Sequence, residues 1–360
     1  MIELTAQEVE RYVRKVHGAE ARLVSVGAIG GKEGQGIKGF GYGKPLLVRY
    51  ELRDETHEEV LSVMRGDKYG HQFYWDRAGI LLFQYETSGL LEGHVKSLGV
   101  GYVNAEDRLV PLDRPKEFFL VSEKAEGYDY YRDLARIRGG DFRKGDLALA
   151  RGLAAWAARI HSLRHADPDL YFRSVRNLIG KSECIMGLVD EAYPHPYPEF
   201  SEERFQALEA GVVRWRWKLK GFAHRLAASH GDFHPWNVLV EESGAFRVLD
   251  RSRGQWGEPA DDVSTMAANY LLFALLDRGR VAGPFAELYR AFFAEYLERT
   301  NDAEMLRVMA PFLVFRGLVI ASPEWYPDHP PAVRQGLLRL IENVLADDIF
   351  DWAHVGKYLE

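Results

Sequence analysis

The run HGDFHPWNVLV, from His230 to Val240, and the VLDRS that ends at Ser252 constrain this chain more than the rest of it together. They set out a carboxylate (Asp232), a carboxamide five residues on (Asn237) and a second carboxylate eighteen residues after the first (Asp250). Moving a phosphoryl group off a nucleotide requires such a set. One group must orient the accepting hydroxyl, and two oxygen ligands must hold Mg²⁺ against the phosphates. VLVEE and FRVLD are apolar β-formers with Glu242-Ser243-Gly244 as the turn between them, so the spacing predicts a tight loop followed by a hairpin. A hairpin brings Asn237 and Asp250 to one end, where a single cation can bridge them.

HGDFHPWN resembles the catalytic loop of the aminoglycoside phosphotransferase and choline kinase group, a branch of the protein-kinase-like fold that writes this loop H-G-D-x-H-x-x-N. Asp250 matches the metal-binding Asp that opens the DFG triplet of protein kinases. GEPADDV resembles the family's Gly-acidic-Pro-x-x-Asp stretch and puts Asp262 on the Asp that anchors the loop. The resemblance implies a two-lobed α+β fold, with an antiparallel β-sheet in the small lobe and a mainly α-helical large lobe. It implies ATP as phosphate donor, Mg²⁺ on Asn237 and Asp250, and Asp232 as the group that orients the acceptor. His230 and His234 are then scaffold. Their i, i+4 spacing would suit zinc on a helix, but Gly231 and Pro235 oppose a helix, and the Glu of H-E-x-x-H is missing. A single Asp beside a Gly is ordinarily a turn or a cap, so the weight lies on the set.

At 360 residues and 47% hydrophobic, the chain can build two lobes with proper cores. The pattern divides it into residues 1–127, a nucleotide-binding lobe, and 128–360, a mainly helical lobe with the catalytic loop and the acceptor site. No eighteen-residue apolar run exists, and segments such as Phe312–Ser322 are interrupted or bounded by Arg or Pro. The first residues, MIELTAQEVERYVRKVHG, lack the apolar core of a signal peptide. One cysteine, Cys184, excludes an intrachain disulfide framework and suits a cytoplasmic setting, where it reads as a small buried hydrophobe. A net charge of −7 argues against nucleic-acid binding. Residues 301–360 carry nine acids against five bases, which suits a cationic acceptor; a solvated helical surface explains the same excess.

In the first half, residues 6–18 read as an amphipathic helix and ARLVSVGAI as a strand. A loop with eight glycines between Gly27 and Gly43 follows. Its Gly34, Gly36 and Gly39 form a G-x-G-x-x-G that cannot be a Rossmann turn, because a strand-like segment comes next. Between strands it can cover phosphates with backbone N–H groups, or merely connect. KPLLVRYEL and HEEVLSVMR read as two more strands joined by RDET. Kinase-like folds hold the α- and β-phosphates with a third-strand Lys paired to a helical acid, and this chain departs from that pattern. Arg65, at the expected end of the third strand, is the candidate, with Lys68 in reserve and Arg49 the choice if the register is shifted. Glu86 is the candidate acid, with Asp76 as its fallback, on a helix expected over 73–91. EFFLVSEKAEG (117–127) resembles the hinge of aminoglycoside phosphotransferases, a strand whose backbone, here Glu123 to Ala125, binds the adenine edge.

The second half is helical. Leu149, Leu153, Trp156, Ile160 and Leu163 form one apolar stripe, and Leu208, Val212, Trp215, Leu219, Phe222 and Leu226 another; the two are expected to pack together beside the hairpin. AYPHPYPEF between them is irregular, lining the acceptor pocket or merely connecting, and further helices are expected near 262–277, 284–299, 303–321 and 331–346. The expected activity is transfer of the γ-phosphate of ATP to a hydroxyl of a small molecule. Its rivals are a catalytically inactive nucleotide-binding module, favoured by the missing third-strand Lys, and a metal-dependent hydrolase.

Overall fold

Thr5 starts the first helix by accepting a hydrogen bond from the Glu8 N–H at 3.2 Å. In the computed structural model, which describes residues 4–28 and 45–360, this helix, α1, runs Ala6–His17. The glycine-dense loop with Gly34, Gly36 and Gly39 lies outside the described residues. The chain divides into two units between Ser122 and Glu123.

In the first unit Val9 and Val13 of α1 pack with Ala21, Val48 and Tyr50 into a small core. The strands β1 (Arg22–Ala28), β2 (Leu46–Leu52) and β3 (Glu55–Leu61) form an antiparallel sheet in that order. Arg53 and Asp54, both at positive φ, make the β2–β3 turn, so Glu55 and Thr56 of the expected turn belong to β3. The third strand also ends earlier than expected, at Leu61, which leaves Arg65 beyond it. α2 (Tyr74–Thr87) contains no buried residue, and a single 3₁₀ turn, Ser88–Leu90, extends it. A hairpin of β4 (Gly101–Val103) and β5 (Leu109–Pro111) is tied to α1 where the Leu109 N–H donates to buried Glu8 at 3.0 Å. The expected strand over 117–121 is absent: those residues are irregular, and Phe119 and Leu120 are about nine-tenths exposed. β propensity supplies the side chains for a strand, but a ladder needs a partner edge.

The second unit begins with β6 (Tyr128–Asp129), α3 (Tyr131–Arg138), α4 (Lys144–His161), α5 (Pro168–Gly180), α6 (Ile185–Glu191) and α7 (Glu202–Leu219). β7 (Ala227–Ala228) leads into the catalytic-loop sequence, and β8 (Val238–Val240) and β9 (Phe246–Val248) form the predicted hairpin, with Val238 opposite Val248. β6 joins the other edge of β8. Gly127, at φ +134°, comes so near that a Cβ would lie 2.8 Å from the Val240 carbonyl, which only glycine allows. β10 (Trp256–Gly257) pairs with β7, and α8 (Pro259–Arg278), α9 (Gly283–Thr300), α10 (Met309–Ala321) and α11 (Pro331–Asn343) complete the unit.

α8 is buried along most of its length and packs against α9, α10 and α11. α4 lies chiefly on α9 and α7 on α5 and α6, so the two striped helices do not form the expected pair. An apolar stripe says that a face is covered, not by what. Leu163 falls outside α4 and is exposed.

A buried ion network fixes the start of α8. Arg225 donates to both carboxylate oxygens of Glu258 (Nη2 to Oε1 at 2.8 Å) and of Asp302 (Nη1 to Oδ1 at 2.6 Å, Nη2 to Oδ2 at 2.8 Å), and the Tyr171 hydroxyl donates to Glu258 at 2.9 Å. Glu258 is the residue that caps α8. Removing one member leaves buried charge unpaired, so Arg225→Met should cost about 3–5 kcal/mol in urea unfolding. A loss below about 1 kcal/mol would mean that the network does not hold the helix.

Candidate active site

Asp262, in the first turn of α8, is fully buried, yet its carboxylate has a complete set of donors. The backbone N–H of His230 donates to Oδ2 at 2.8 Å, and that of Gly231 to Oδ1 at 2.7 Å. His161, the last residue of α4, sets Nε2 3.0 Å from Oδ2, and its Nδ1 stands 2.9 Å from the Tyr296 hydroxyl. With Tyr296 donating to Nδ1, the imidazole must carry its proton on Nε2 and donate it to Asp262. Burial alone would raise the Asp262 carboxyl, but His161 and the two backbone amides outweigh it and hold it below the usual carboxylate range. Two successive N–H groups can converge on one carboxylate because Gly231 sits at φ +84°. A Cβ there would also lie 2.9 Å from the Cβ of Arg253.

From that tether the loop folds on itself. His230 Nε2 is 2.7 Å from the Leu249 carbonyl, and Nδ1 accepts from the Asp232 N–H at 3.2 Å, so both ring nitrogens are occupied. His234 accepts from the Trp236 N–H through Nδ1 at 3.2 Å, starting the short turn Pro235–Asn237, and its Nε2 lies 3.5 Å from Asp232 Oδ2. No cluster of three or more His, Cys, Asp or Glu suited to a metal exists among the described residues. Trp156 backs the loop from α4, 4.9 Å from the Phe233 ring.

Asn237 donates from Nδ2 to the Asp232 carbonyl at 3.0 Å, leaving Oδ1, the atom a cation needs. Its own carbonyl accepts from the Leu249 N–H at 2.9 Å, which brings Asp250 to the same end of the hairpin. Asp250 is exposed, sits at φ +54°, and makes no hydrogen bond or ion pair among the described residues. A left-handed conformation at a non-glycine residue costs about 1–3 kcal/mol and gathers at functional sites. Two free oxygen donors at one hairpin end fit Mg²⁺, which binds through one or two protein ligands and completes its shell with phosphate and water.

Asp232 is already paired. Arg316 of α10, almost wholly buried, donates from Nη1 to Asp232 Oδ1 at 2.7 Å, and from Nη2 to the Gly231 carbonyl at 2.6 Å and to Asp261 at 2.8 Å. Arg253 Nε stands 3.6 Å from the same Oδ1. Burial would raise the Asp232 carboxyl, but His234, Arg316 and Arg253 together hold it well below the usual range. Asp261, next to Asp262, is instead raised, by burial first, against the pull of Arg316. Sequence reasoning missed Arg316, Arg253, Asp261 and His161. The lone Arg316 within an apolar helix was the available signal, because a buried guanidinium requires acidic partners. Cys184 is buried, with its thiol pushed up by burial.

The first unit's candidates are scattered. Arg65 and Glu86 are exposed and form no ion pair among the described residues; Arg49 pairs with Glu58 on the neighbouring strand. Lys68 is exposed in the turn that follows Arg65, and Asp76 accepts from the Phe73 N–H at 3.0 Å, capping α2. Glu123 and Ala125, which open the second unit, lie in irregular chain.

A model of the phosphotransferase enzyme family (APH) matches residues 108–312, more than half of the chain and the whole of the loop just described. The chain belongs to this family. As a phosphotransferase-family member it has the two-lobed, kinase-like α+β fold, with the antiparallel sheet in the small lobe and the helices mainly in the large one. Solved structures align at low identity. A glucosamine kinase shares 15% identity over 94% of this chain and 91% of its own, with a TM-score of 0.37. An ethanolamine kinase of Plasmodium vivax shares 15% over 94% and 80%, at 0.33. A choline kinase, LicA, of Streptococcus pneumoniae shares 13% over 98% and 98%, at 0.31. Among curated proteins none matches. No helix among the described residues is long and apolar enough to cross a membrane.

The Asp262 tether makes a pH-dependent prediction. A carboxyl held below its unfolded value stabilises the fold above that value, and the contribution is lost as pH falls through the folded one. Asp262→Asn should therefore destabilise the chain near pH 7 by about 1–3 kcal/mol for each buried donor left unmatched. The gap between parent and variant should narrow below about pH 4. Urea melts across that range check it, and a gap independent of pH would mean that the carboxylate charge is not what holds the loop.

Proposed function

We propose that this chain transfers the γ-phosphate of ATP to a hydroxyl of a small molecule. The observation that carries the reading is the preassembled loop, in which Asp232, Asn237 and Asp250 stand on one tethered scaffold with the last two free to take a cation. Asn237 Oδ1 and the Asp250 carboxylate would hold Mg²⁺, which neutralises charge on the phosphates when bound. Asp232 Oδ2, beside His234, accepts a hydrogen bond from the acceptor hydroxyl and points its oxygen along the line of attack. With its carboxyl held low, Asp232 is a weak base, so orientation is its main task and proton uptake comes late. His230, His234 and Asp262 keep the loop in shape, and no covalent enzyme intermediate is needed.

In the same reading residues 1–127 bind the nucleotide and residues 128–360 hold the acceptor. Arg65, with Lys68 or Arg49 in its place if it fails, steadies the α- and β-phosphates, with Glu86 as its acidic partner. The loop of Gly34, Gly36 and Gly39 covers the phosphates, and the backbone of Glu123 to Ala125 takes the adenine edge. The end of β3 at Leu61 and the exposure of Arg65 favour the second reading, an inactive nucleotide-binding module. The intact Asp232, Asn237 and Asp250 favour catalysis.

Asp250→Ala should abolish turnover and weaken Mg²⁺-dependent ATP binding, whereas Asp232→Asn should keep ATP–Mg²⁺ affinity and cut transfer by about 10²–10⁴. Calorimetry and a mass-spectrometric transfer assay on one preparation measure both. Asp232→Asn with parental turnover would remove Asp232 from the chemistry; ATP binding without transfer by the parent would establish the inactive module. Arg65→Ala should weaken ATP binding by about 1.5–3 kcal/mol while adenosine binding changes far less. No loss for either ligand would pass the role to Lys68 or Arg49.

A further inference from the structure

Asp232 has two guanidinium groups beside it, and they differ in how well they are paired. Arg316 satisfies Oδ1 with a 2.7 Å hydrogen bond from a side chain only 4% exposed, and that guanidinium spends its two Nη groups on three acceptors. Arg253 is different. Its side chain is 20% exposed, and its buried Nε, like that of Arg316, has no hydrogen-bond partner, but no short bonds from its Nη groups among the described residues offset this. Its Nη1 makes only long contacts, 3.4 Å to the Glu183 carbonyl and 3.8 Å to the Cys184 sulfur. The group is nevertheless held in place. Its Cζ lies 5.1 Å from the Phe315 ring centre, and its Cβ rests over Gly231, where no side chain could intrude. A guanidinium fixed in position but poorly satisfied is a receptor for an oxyanion, which it can grip through two parallel N–H bonds.

We propose that the acceptor carries an anionic group, a carboxylate or phosphate, on a carbon next to the one bearing its hydroxyl, and that Arg253 binds that group. This rests on the phosphotransferase reading above. A hydroxyl bonded to Asp232 Oδ2 would lie close to Oδ1 of the same carboxylate, and Oδ1 is 3.6 Å from Arg253 Nε. Substituents one carbon away therefore fall within reach of Arg253. Arg253, whose charge is the less well paired of the two, opposes a cationic substituent at that place. The acidic excess of residues 301–360, which suited a cationic acceptor, includes no carboxylate hydrogen-bonded or ion-paired to Asp232, Arg253 or Arg316.

The test incubates the full chain with ATP and Mg²⁺ and four sets of acceptors: hydroxycarboxylic acids, sugar phosphates, neutral polyols, and amino sugars with choline. Mass spectrometry reads the gain of one phosphoryl group, and the first two sets tell carboxylate from phosphate. The expected result is transfer to an anionic acceptor, with Arg253→Gln raising its KM roughly 10- to 100-fold, the scale of a lost hydrogen bond to a charged group. ATP affinity by calorimetry should stay near the parent's. Transfer only to cationic or neutral acceptors would overturn the proposal and leave the kinase reading standing. So would an Arg253→Gln variant that loses kcat on every acceptor at unchanged KM, because Arg253 would then touch the phosphoryl in flight. If no set is phosphorylated, direct calorimetry with glycerate decides: binding lost in Arg253→Gln supports the anion site although the kinase reading fails, and no binding overturns both.

Discussion

The carboxylate of Asp262 receives the backbone N–H groups of His230 and Gly231, and the rest of the site depends on that pair of bonds. They set the direction in which the chain leaves β7, and thereby where Asp232 stands one residue later. The tether has its own supports. His161 holds the carboxylate from α4, while Arg225, Glu258 and Asp302 hold the start of α8 from which Asp262 projects. The proposed chemistry thus falls on a loop outside the main helices and strands, but the loop is fixed by α4, α8, α10 and a hairpin. Backbone geometry sustains it, since Gly231 adopts a conformation and a closeness to Arg253 that a side chain would forbid.

Charge around Asp232 is balanced by contacts drawn from distant sequence. Arg316 comes from α10, eighty-four residues on, and Arg253 from the segment after Asp250. A carboxylate so paired is held below the usual range and has little appetite for a proton, which under the proposed function suits a reaction whose rate comes from alignment and charge neutralisation. In the proposed reading the supporting guanidinium groups also bear on what approaches the carboxylate, and so on the choice of acceptor.

The second unit was more legible than the first, for physical reasons. Helices near 262–277, 284–299 and 331–346 announce themselves by apolar spacing within one segment, and they stand as α8, α9 and α11 with its 3₁₀ extension. The hairpin around Ser243 and Gly244 is equally local, because the turn and both strands lie within a dozen residues. What failed was partnership across distance. The Phe118–Val121 segment has the composition of a strand and no ladder, β3 stops before Arg65, and α4 and α7 find separate partners. The same reason hides His161 and leaves Arg316, a charge set in an apolar helix, without a named partner: nothing near either in sequence shows the carboxylate it meets.

A crystal structure with a non-hydrolysable ATP analogue and Mn²⁺ in place of Mg²⁺ tests the central claim most directly, because the metal's anomalous signal locates the cation without reference to the protein. The predicted result is one cation bound by Asn237 Oδ1 and the Asp250 carboxylate together with phosphate oxygens. Asp232 should remain on Arg316 and away from the metal, with the bonds from His230 and Gly231 to Asp262 intact. A cation held by Asp232 or Asp261 with Asn237 and Asp250 unengaged, or a loop that leaves Asp262 when nucleotide binds, would contradict it.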